Sequence, residues 1–426
     1  MDEAVTMAPE QFLDLRWGST SDHSNRGGSP EFDVLCSIVR AKRDHGQIAN
    51  ALRGHIEWSD LLNLAEAHGV RPQLIRSFQE LDWIGVPSAT KQSLLDFLPL
   101  QKARSLYLAG ELIQVSDQLS QGAIRFATFK GPSLAAALYG DLSLRECNDI
   151  DIIVDEKKVA QTEAALGSLG YHAVHGSSVF RGAFLAYQRQ FALVREAPRL
   201  AVDLHWDFTS SYAPFPISPA EIWNNLEEVY VGGRAVPSLG RNELALFLAG
   251  HGTKEGWRYL RSLSDFAMFI EKHPDLDWDY LLDRARRRGC GRSLLLGCQL
   301  AAQLLGTRVK GDLLKVAETR AQGLARTVVR RARNELRAPT LERDLADLEL
   351  CENLLQKARA VGKFLITRTV SDYVSMPLPR PLWRVYHLTR PFRLAGKVTT
   401  NFGLIGSSQI CKRGLAERSR PINNFP

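Results

Sequence analysis

The spacing of apolar and polar residues divides the chain into helical and extended stretches. From Asp33 to Gly85 the period is helical: Val34, Leu35 and Ile38 form one stripe, and Trp58, Leu61, Leu62 and Ala65 form another behind Ser59 or Asp60 as a cap. A longer helix is expected over Gln101–Ser120, leading through Gly122 into a buried strand at Ala123–Phe129. Lys130-Gly131-Pro132-Ser133 then opens a helix, Leu134–Tyr139, because proline suits a first helical position. Asn148–Val154 alternates strictly, so Asp149 and Asp151 share one strand face while Ile150, Ile152 and Val154 share the other. The apolar face is expected to be buried and the acidic face open. Asp155–Leu169 reads as a helix ending at Gly170, and Tyr171–His175 as a strand. Ala183–Arg195 and Leu200–Phe208 read as an antiparallel pair around Glu196-Ala197-Pro198.

From Arg241 the helical period returns and continues to residue 370. Gly252 and Gly256 fall within it at about 1 kcal/mol each relative to alanine, which points to close packing or a break. His251, Lys254, Arg258, Arg261 and Asp265 recur three or four residues apart, so a continuous helix would align them as one polar stripe, with Arg261 and Asp265 spaced as an i,i+4 ion pair. The pattern as a whole is α/β (α+β): a small mixed sheet flanked by N-terminal and C-terminal helical regions. The expected organisation is a disordered segment at 1–32, helices at 33–100, the sheet-bearing core at 101–235, a helical domain at 236–370 and a basic tail at 371–426. The run Gly-Ser-Pro-Glu-Phe at 28–32 also fits an added sequence.

Chemistry concentrates in the middle of this order. Asp149 and Asp151, with Asp203 in the later strand LAVDLHWDF, stand beside the glycine turn. Carboxylates that close remain ionised together at neutral pH only with a cation between them or water screening them. A hard divalent ion with oxygen ligands such as Mg²⁺ suits them, and a helix N-terminus preceded by glycine offers free N–H groups to an anion. This is the outline of a metal-dependent phosphoryl-transfer site. Lys130 and Arg145 are candidates for triphosphate contacts, since positive charge there stabilises a departing pyrophosphate; either could instead pair with Asp141 or Glu146. Asp141 reads as a turn residue. Lys254 is the candidate for a substrate contact from the helical stripe. Asp203, His205 and Asp207 share a strand face, and His205 reads as packing beside Trp206.

The pieces KGPSLAAALYG, LREC with NDIDIIV, GYHAV, VDLHW, HGTKEGW and LRSLSDFA, in that order, resemble the bacterial uncharacterised nucleotidyltransferases of the DNA-polymerase-β-like superfamily. The similarity covers roughly Trp58 to Arg308. Gly131 matches the first signature glycine, whereas Pro132 replaces the second small residue, which shifts phosphate contact toward Ser133, Lys130 or Arg145. The resemblance implies that Asp149 and Asp151 bind two Mg²⁺ ions, with Mn²⁺ a substitute, and that Asp203 binds the catalytic one. It further implies an NTP as co-substrate, attack on its α-phosphate by the hydroxyl of an unidentified acceptor (small molecule, sugar, peptide or RNA end), and release of pyrophosphate. A non-catalytic nucleotide-binding regulatory or scaffold module on the same fold is the alternative.

Composition changes this picture in two places. The formal net charge of +7 resides in the tail: residues 376–426 hold nine basic side chains against one acid, Glu417, which leaves the rest of the chain at −1. Trp383, Tyr386, Phe392 and Phe402 interleave with those arginines, a composition that binds single-stranded nucleic acid or an anionic membrane, or packs a terminal segment onto the domain. Six cysteines at 36, 147, 290, 298, 351 and 411 form no C-x-x-C pair, so they read as reduced thiols in a cytoplasmic protein without a zinc site. No apolar run reaches the length of a membrane span, and the acidic, polar N-terminus does not read as a signal peptide.

Overall fold

Ser29 opens the fold by accepting a hydrogen bond from the Phe32 amide, with Pro30 in the first turn of α1 (Pro30–Ile38). The structure, a computed structural model, describes residues 29–174, 178–197, 199–209, 214–334, 351 and 354–394; the disorder expected at 1–28 and the tail beyond 394 lie outside these residues. The irregular segment expected to reach Phe32 ends earlier, because Phe32, Leu35 and Ile38 enter a core shared with the helices that follow. These are α2 (His45–Leu52), α3 (Trp58–His68), which starts ahead of its expected cap, and α4 (Arg71–Glu80).

Helix α5 spans Ser88–Gln121 and continues through Pro99, well beyond the stretch that the pattern marks. After it come β1 (Phe126–Thr128), α6 (Gly131–Tyr139), β2 (Ile150–Val154), α7 (Val159–Gly167) and β3 (His172–Ala173). Then follow α8 (Ser178–Ala183), β4 (Gln190–Glu196), β5 (Arg199–His205), α9 (Pro219–Ile222), β6 (Leu226–Val231) and β7 (Arg234–Leu239). The strands form one mixed sheet in the order β3-β4-β5-β2-β1-β7-β6. β2 runs parallel to β5 and antiparallel to β1, and β1 runs parallel to β7.

The expected antiparallel pair exists from Gln190 onward, where Gln190 lies opposite His205 at the end of β5. Residues before Gln190 have no strand left to pair with. They form α8 and one turn of π-helix, Phe184–Gln188, where the Trp206 indole donates to the Leu185 carbonyl. The β6–β7 hairpin, absent from the sequence reading, turns on Gly232 and Gly233, both at positive φ.

Each sheet face has its own cover. Ile150, Ile152 and Val154 pack with Val202 and Leu204 against Leu112, Val115 and Leu119 of α5. The opposite face carries Asp151 and Ile153, and it is covered as well: Asp151 is only 2% exposed, which corrects the expectation of an open acidic face. The cover is α10 (Arg241–Lys254), whose Phe247 ring packs edge-on against Phe129 with centroids 4.8 Å apart.

The expected polar stripe is broken. Between α10 and α11 (Leu260–Lys272) the chain turns through Gly256 at φ 65° and Trp257 at φ 53°, so His251 and Lys254 belong to one helix and Arg261 and Asp265 to the next. The Trp257 indole lies where a Cβ on Gly252 or on Gly297 would come within 2.5 or 2.7 Å of it. Alanine at either position collides with the ring, so Gly252 is required by close packing, whereas Gly256 marks the break. Helices α12 (Trp278–Arg287), α13 (Gly291–Leu305) and α14 (Gly311–Asn334) continue the layer.

The last described elements are α15 (Leu354–Ile366), α16 (Val370–Ser375) and α17, residues 386–394. Two of the tail's aromatic residues anchor this segment: Trp383 and Tyr386 pack on Tyr373 at centroid distances of 4.6 and 4.4 Å. Phe392 points to solvent, and Phe402 lies outside the described residues. No disulfide joins the five described cysteines, and no described helix is long and apolar enough to cross a membrane.

Candidate active site

The parallel ladder between β2 and β5 sets Asp151 directly beside Asp203. Residues in register on neighbouring strands share a face, so the two carboxylates project together. Asp151 Oδ1 lies 2.8 Å from Lys130 Nζ and 3.1 Å from His205 Nε2. Ligand atoms of Asp151, Asp203 and His205 all fall within 4.8 Å of one another. Asp149 stands one residue ahead of β2, half-buried, and acts on the pair through its charge.

The electrostatics follow from this crowding. Burial opposes ionisation of Asp151, yet the Lys130 ammonium and His205 hold it far below the usual carboxylate range. Burial and then the charges of Asp151 and Asp149 push Asp203 up to about 7. Burial and Asp151 likewise raise Asp149, against the opposing pull of Lys130 and Arg261. Lys130 is half-buried, and although desolvation opposes its charge, Asp151 and Asp149 outweigh it and raise it. Three carboxylates thus face one contacting ammonium. The donor set fits a hard divalent ion: two carboxylates and an imidazole converge, with more negative charge than Lys130 neutralises, and His205 Nδ1 has no hydrogen-bond partner among the described residues.

The glycine turn adjoins the acids. Gly131 adopts φ 61°, and a Cβ there would sit 3.1 Å from the Asp149 carbonyl oxygen, so this position needs glycine for both conformation and space. The N-cap of α6, Lys130, provides no side-chain cap, which leaves first-turn N–H groups available to an anion. The buried Ser133 hydroxyl donates back to the Lys130 carbonyl at 2.8 Å, turned into its own helix.

Arg145 is held by another acid, although its charge still lowers Asp149. Its Nε donates to Asp265 Oδ2 at 2.9 Å, Tyr139 donates to the other oxygen at 2.9 Å, and Arg145 and Asp265 are both buried. Neither acid weighed as its partner takes it: Asp141 accepts from the Ser143 amide, and Glu146 holds Arg71 at 2.7 Å. Asp265 is therefore not the i,i+4 partner of Arg261. Lys254, the last residue of α10, keeps an exposed side chain; the protein crowded about its ammonium and the nearby Lys130 lower it, and it in turn acts on Asp203.

Two features escaped the sequence reading. His205 was read as a packing residue; it does pack, edge-on to Phe129 at 5.1 Å, but its Nε2 also reaches Asp151. On α10, His251 lies 3.4 Å from Glu255, which accepts a 2.6 Å hydrogen bond from Ser262. Burial lowers His251 to about 3, and Glu255 drops to about 2 because His251 and Arg261 outweigh its burial. His251 stacks on Phe247, which packs on Phe129, which packs on His205, so an unbroken series of rings joins α10 to the acidic strands. The i,i+4 spacing of His251 and Glu255 was the available signal.

The profile of the family described as uncharacterised nucleotidyltransferase matches residues 54–306, more than half of the chain. The chain belongs to that family. All of the candidate residues from Lys130 to Arg261 lie within the matched region of this nucleotidyltransferase. No curated protein is similar enough to count as a relative. Among solved structures, the solution structure of the antibiotic-resistance factor ANT(2'')-Ia aligns over 54% of this chain and 99% of its own, at 14% identity and a TM-score of 0.25, a likeness too slight to carry an argument.

Proposed function

We propose that this nucleotidyltransferase moves a nucleoside monophosphate from an NTP to a hydroxyl of its acceptor and releases pyrophosphate, with a divalent cation held by Asp151, Asp203 and His205 and assisted by Asp149. The observation that carries this reading is the pairing of Asp151 with Asp203 across β2 and β5, beside the uncapped N-terminus of α6, whose N-cap residue Lys130 reaches Asp151. When bound, Mg²⁺ or Mn²⁺ supplies charge neutralisation at the reacting phosphate and lowers the pKa of the attacking hydroxyl.

The chain's own groups do the rest. The N–H groups of α6 and the Lys130 and Lys254 ammoniums bind the triphosphate and favour the charge that develops on leaving pyrophosphate. Ser133 contributes through its backbone N–H, since its hydroxyl is engaged by Lys130. Asp203 positions the acceptor hydroxyl beside the α-phosphate and takes its proton. In the balanced reaction the acceptor oxygen forms a bond to the α-phosphorus, the bond to the bridging oxygen breaks, and pyrophosphate departs with that electron pair. Arg145 takes a positioning role, because its buried pair with Asp265 and its 3.1 Å contact to Cys147 brace the loop leading to Asp149. A cytoplasmic setting fits the lack of disulfides among the described cysteines.

The test is incubation with each α-labelled NTP, Mg²⁺ or Mn²⁺ and cell extract, following pyrophosphate release and covalent label. Asp151→Asn and Asp203→Asn should each abolish both signals while circular dichroism is unchanged. Undiminished labelling in either variant removes the assignment, and saturable NTP binding with no pyrophosphate release selects the binding module.

A further inference from the structure

The C-terminal segment exposes what a water-soluble helix hides. In α17 the residues Tyr386 and Arg390, one turn apart, face inward, and Arg390 is 3% exposed with its guanidinium 2.7 Å from Asp372. Leu388 and Phe392, also one turn apart, stand 70% and 80% exposed. Helix α15 buries no residue at all and leaves Leu354, Leu355, Leu365 and Ile366 in solvent. Of sixteen large exposed hydrophobic residues among those described, nine fall between 354 and 392. Such clustering, unlike single exposed side chains, marks a contact surface.

The two helices form one block. The His387 Nδ1 lies 2.6 Å from the Ile366 carbonyl and Arg390 Nε donates to the Phe364 carbonyl at 2.9 Å, so α17 covers the C-terminal end of α15. The charge on this block has one sign. Arg359, Lys363 and Arg384 are exposed, while the one acid between 354 and 394, Asp372, is buried beneath Arg390 and Arg393. The matching partner is therefore apolar and anionic at once. Nucleic acid would satisfy the cations but leave Leu388 and Phe392 wet, and a second copy of the same face would set cation against cation. A bilayer with anionic lipid meets both demands, with acyl chains for the leucines and phenylalanine and headgroup phosphates for the basic side chains.

We infer that α15 and α17 are a docking face for an anionic membrane surface, on which the enzyme lies without spanning it. The experiment is flotation of the full-length protein with phosphatidylcholine vesicles and with phosphatidylcholine–phosphatidylglycerol vesicles, at low and high salt. Binding should require phosphatidylglycerol and weaken with salt as screening shortens the reach of the charges. Leu388→Asp with Phe392→Asp should cut partitioning more than about tenfold, since two exposed apolar groups no longer enter the interface. These side chains touch solvent, so circular dichroism should not change; Arg359→Glu with Lys363→Glu tests the charge component separately. No binding, equal binding to both lipids, or full binding by both double variants overturns the inference. So does light scattering that finds a dimer dissolved by the Leu388 and Phe392 changes without any lipid binding.

Discussion

Replacing Lys130 by methionine tests the electrostatic core of the site. The side chain keeps nearly the same volume, and only the ammonium against Asp151 is lost. At the observed 2.8 Å and an effective dielectric of about 20, the gross attraction is about 6 kcal/mol. Desolvation of both groups and the 20% of the Lys130 side chain that remains exposed offset about half of this, leaving an expected destabilisation of about 3 kcal/mol. The assay is urea denaturation followed by tryptophan fluorescence, with and without Mg²⁺. In the variant Mg²⁺ has more unneutralised acid to bind, so it should stabilise the variant more than the wild type, approaching about 2.7 kcal/mol at about a hundred times its dissociation constant. A loss below about 1 kcal/mol, or equal Mg²⁺ stabilisation of both proteins, would show that the three carboxylates do not act as one charged cluster.

Other consequences are equally direct. Gly131→Ala should cost about 2 kcal/mol and most of the activity, because it adds left-handed strain to a contact with the Asp149 carbonyl; Gly140→Ala, with φ 67° but open space around it, should cost about 1 kcal/mol and spare activity in the same denaturation and transfer assays. Arg145→Met should destabilise by about 3 to 5 kcal/mol by leaving Asp265 buried and unpaired, and adding Asp265→Leu should recover more than half of that in denaturation midpoints. Burial lowers His68 from 6.5 to about 4, so its neutral form carries stability present above pH 6.5 that is lost as pH falls through about 4. That loss amounts to about 3 kcal/mol by pH 4 and should be absent in His68→Gln, measured as the pH dependence of unfolding.

Local periodicity made part of this architecture readable. Alternation around Ile150, Ile152 and Val154 fixed which face of β2 would meet α5, and it set Asp149 and Asp151 on the other. The family resemblance tied Asp203 to them, and the β2–β5 register places it beside Asp151. What escaped was decided by contacts distant in sequence. Arg145 looked like a phosphate ligand because its partner, Asp265, lies 120 residues away. The glycines left a break in the polar stripe open, but helical spacing alone does not tell that the chain turns through positive φ at Gly256 and Trp257. Strand content before Gln190 was overstated, since an apolar run in Ala183–Arg195 does not tell where the partner strand stops. The β6–β7 hairpin was signalled by Gly232-Gly233, a turn cue that the reading passed over.

The indole lodged between Gly252 and Gly297 fastens α10 to α13 as a dowel fastens two beams. With that joint filled, the bend carrying Lys254 and Glu255 has no room to swing by itself. Any displacement of α10 therefore carries α13 with it.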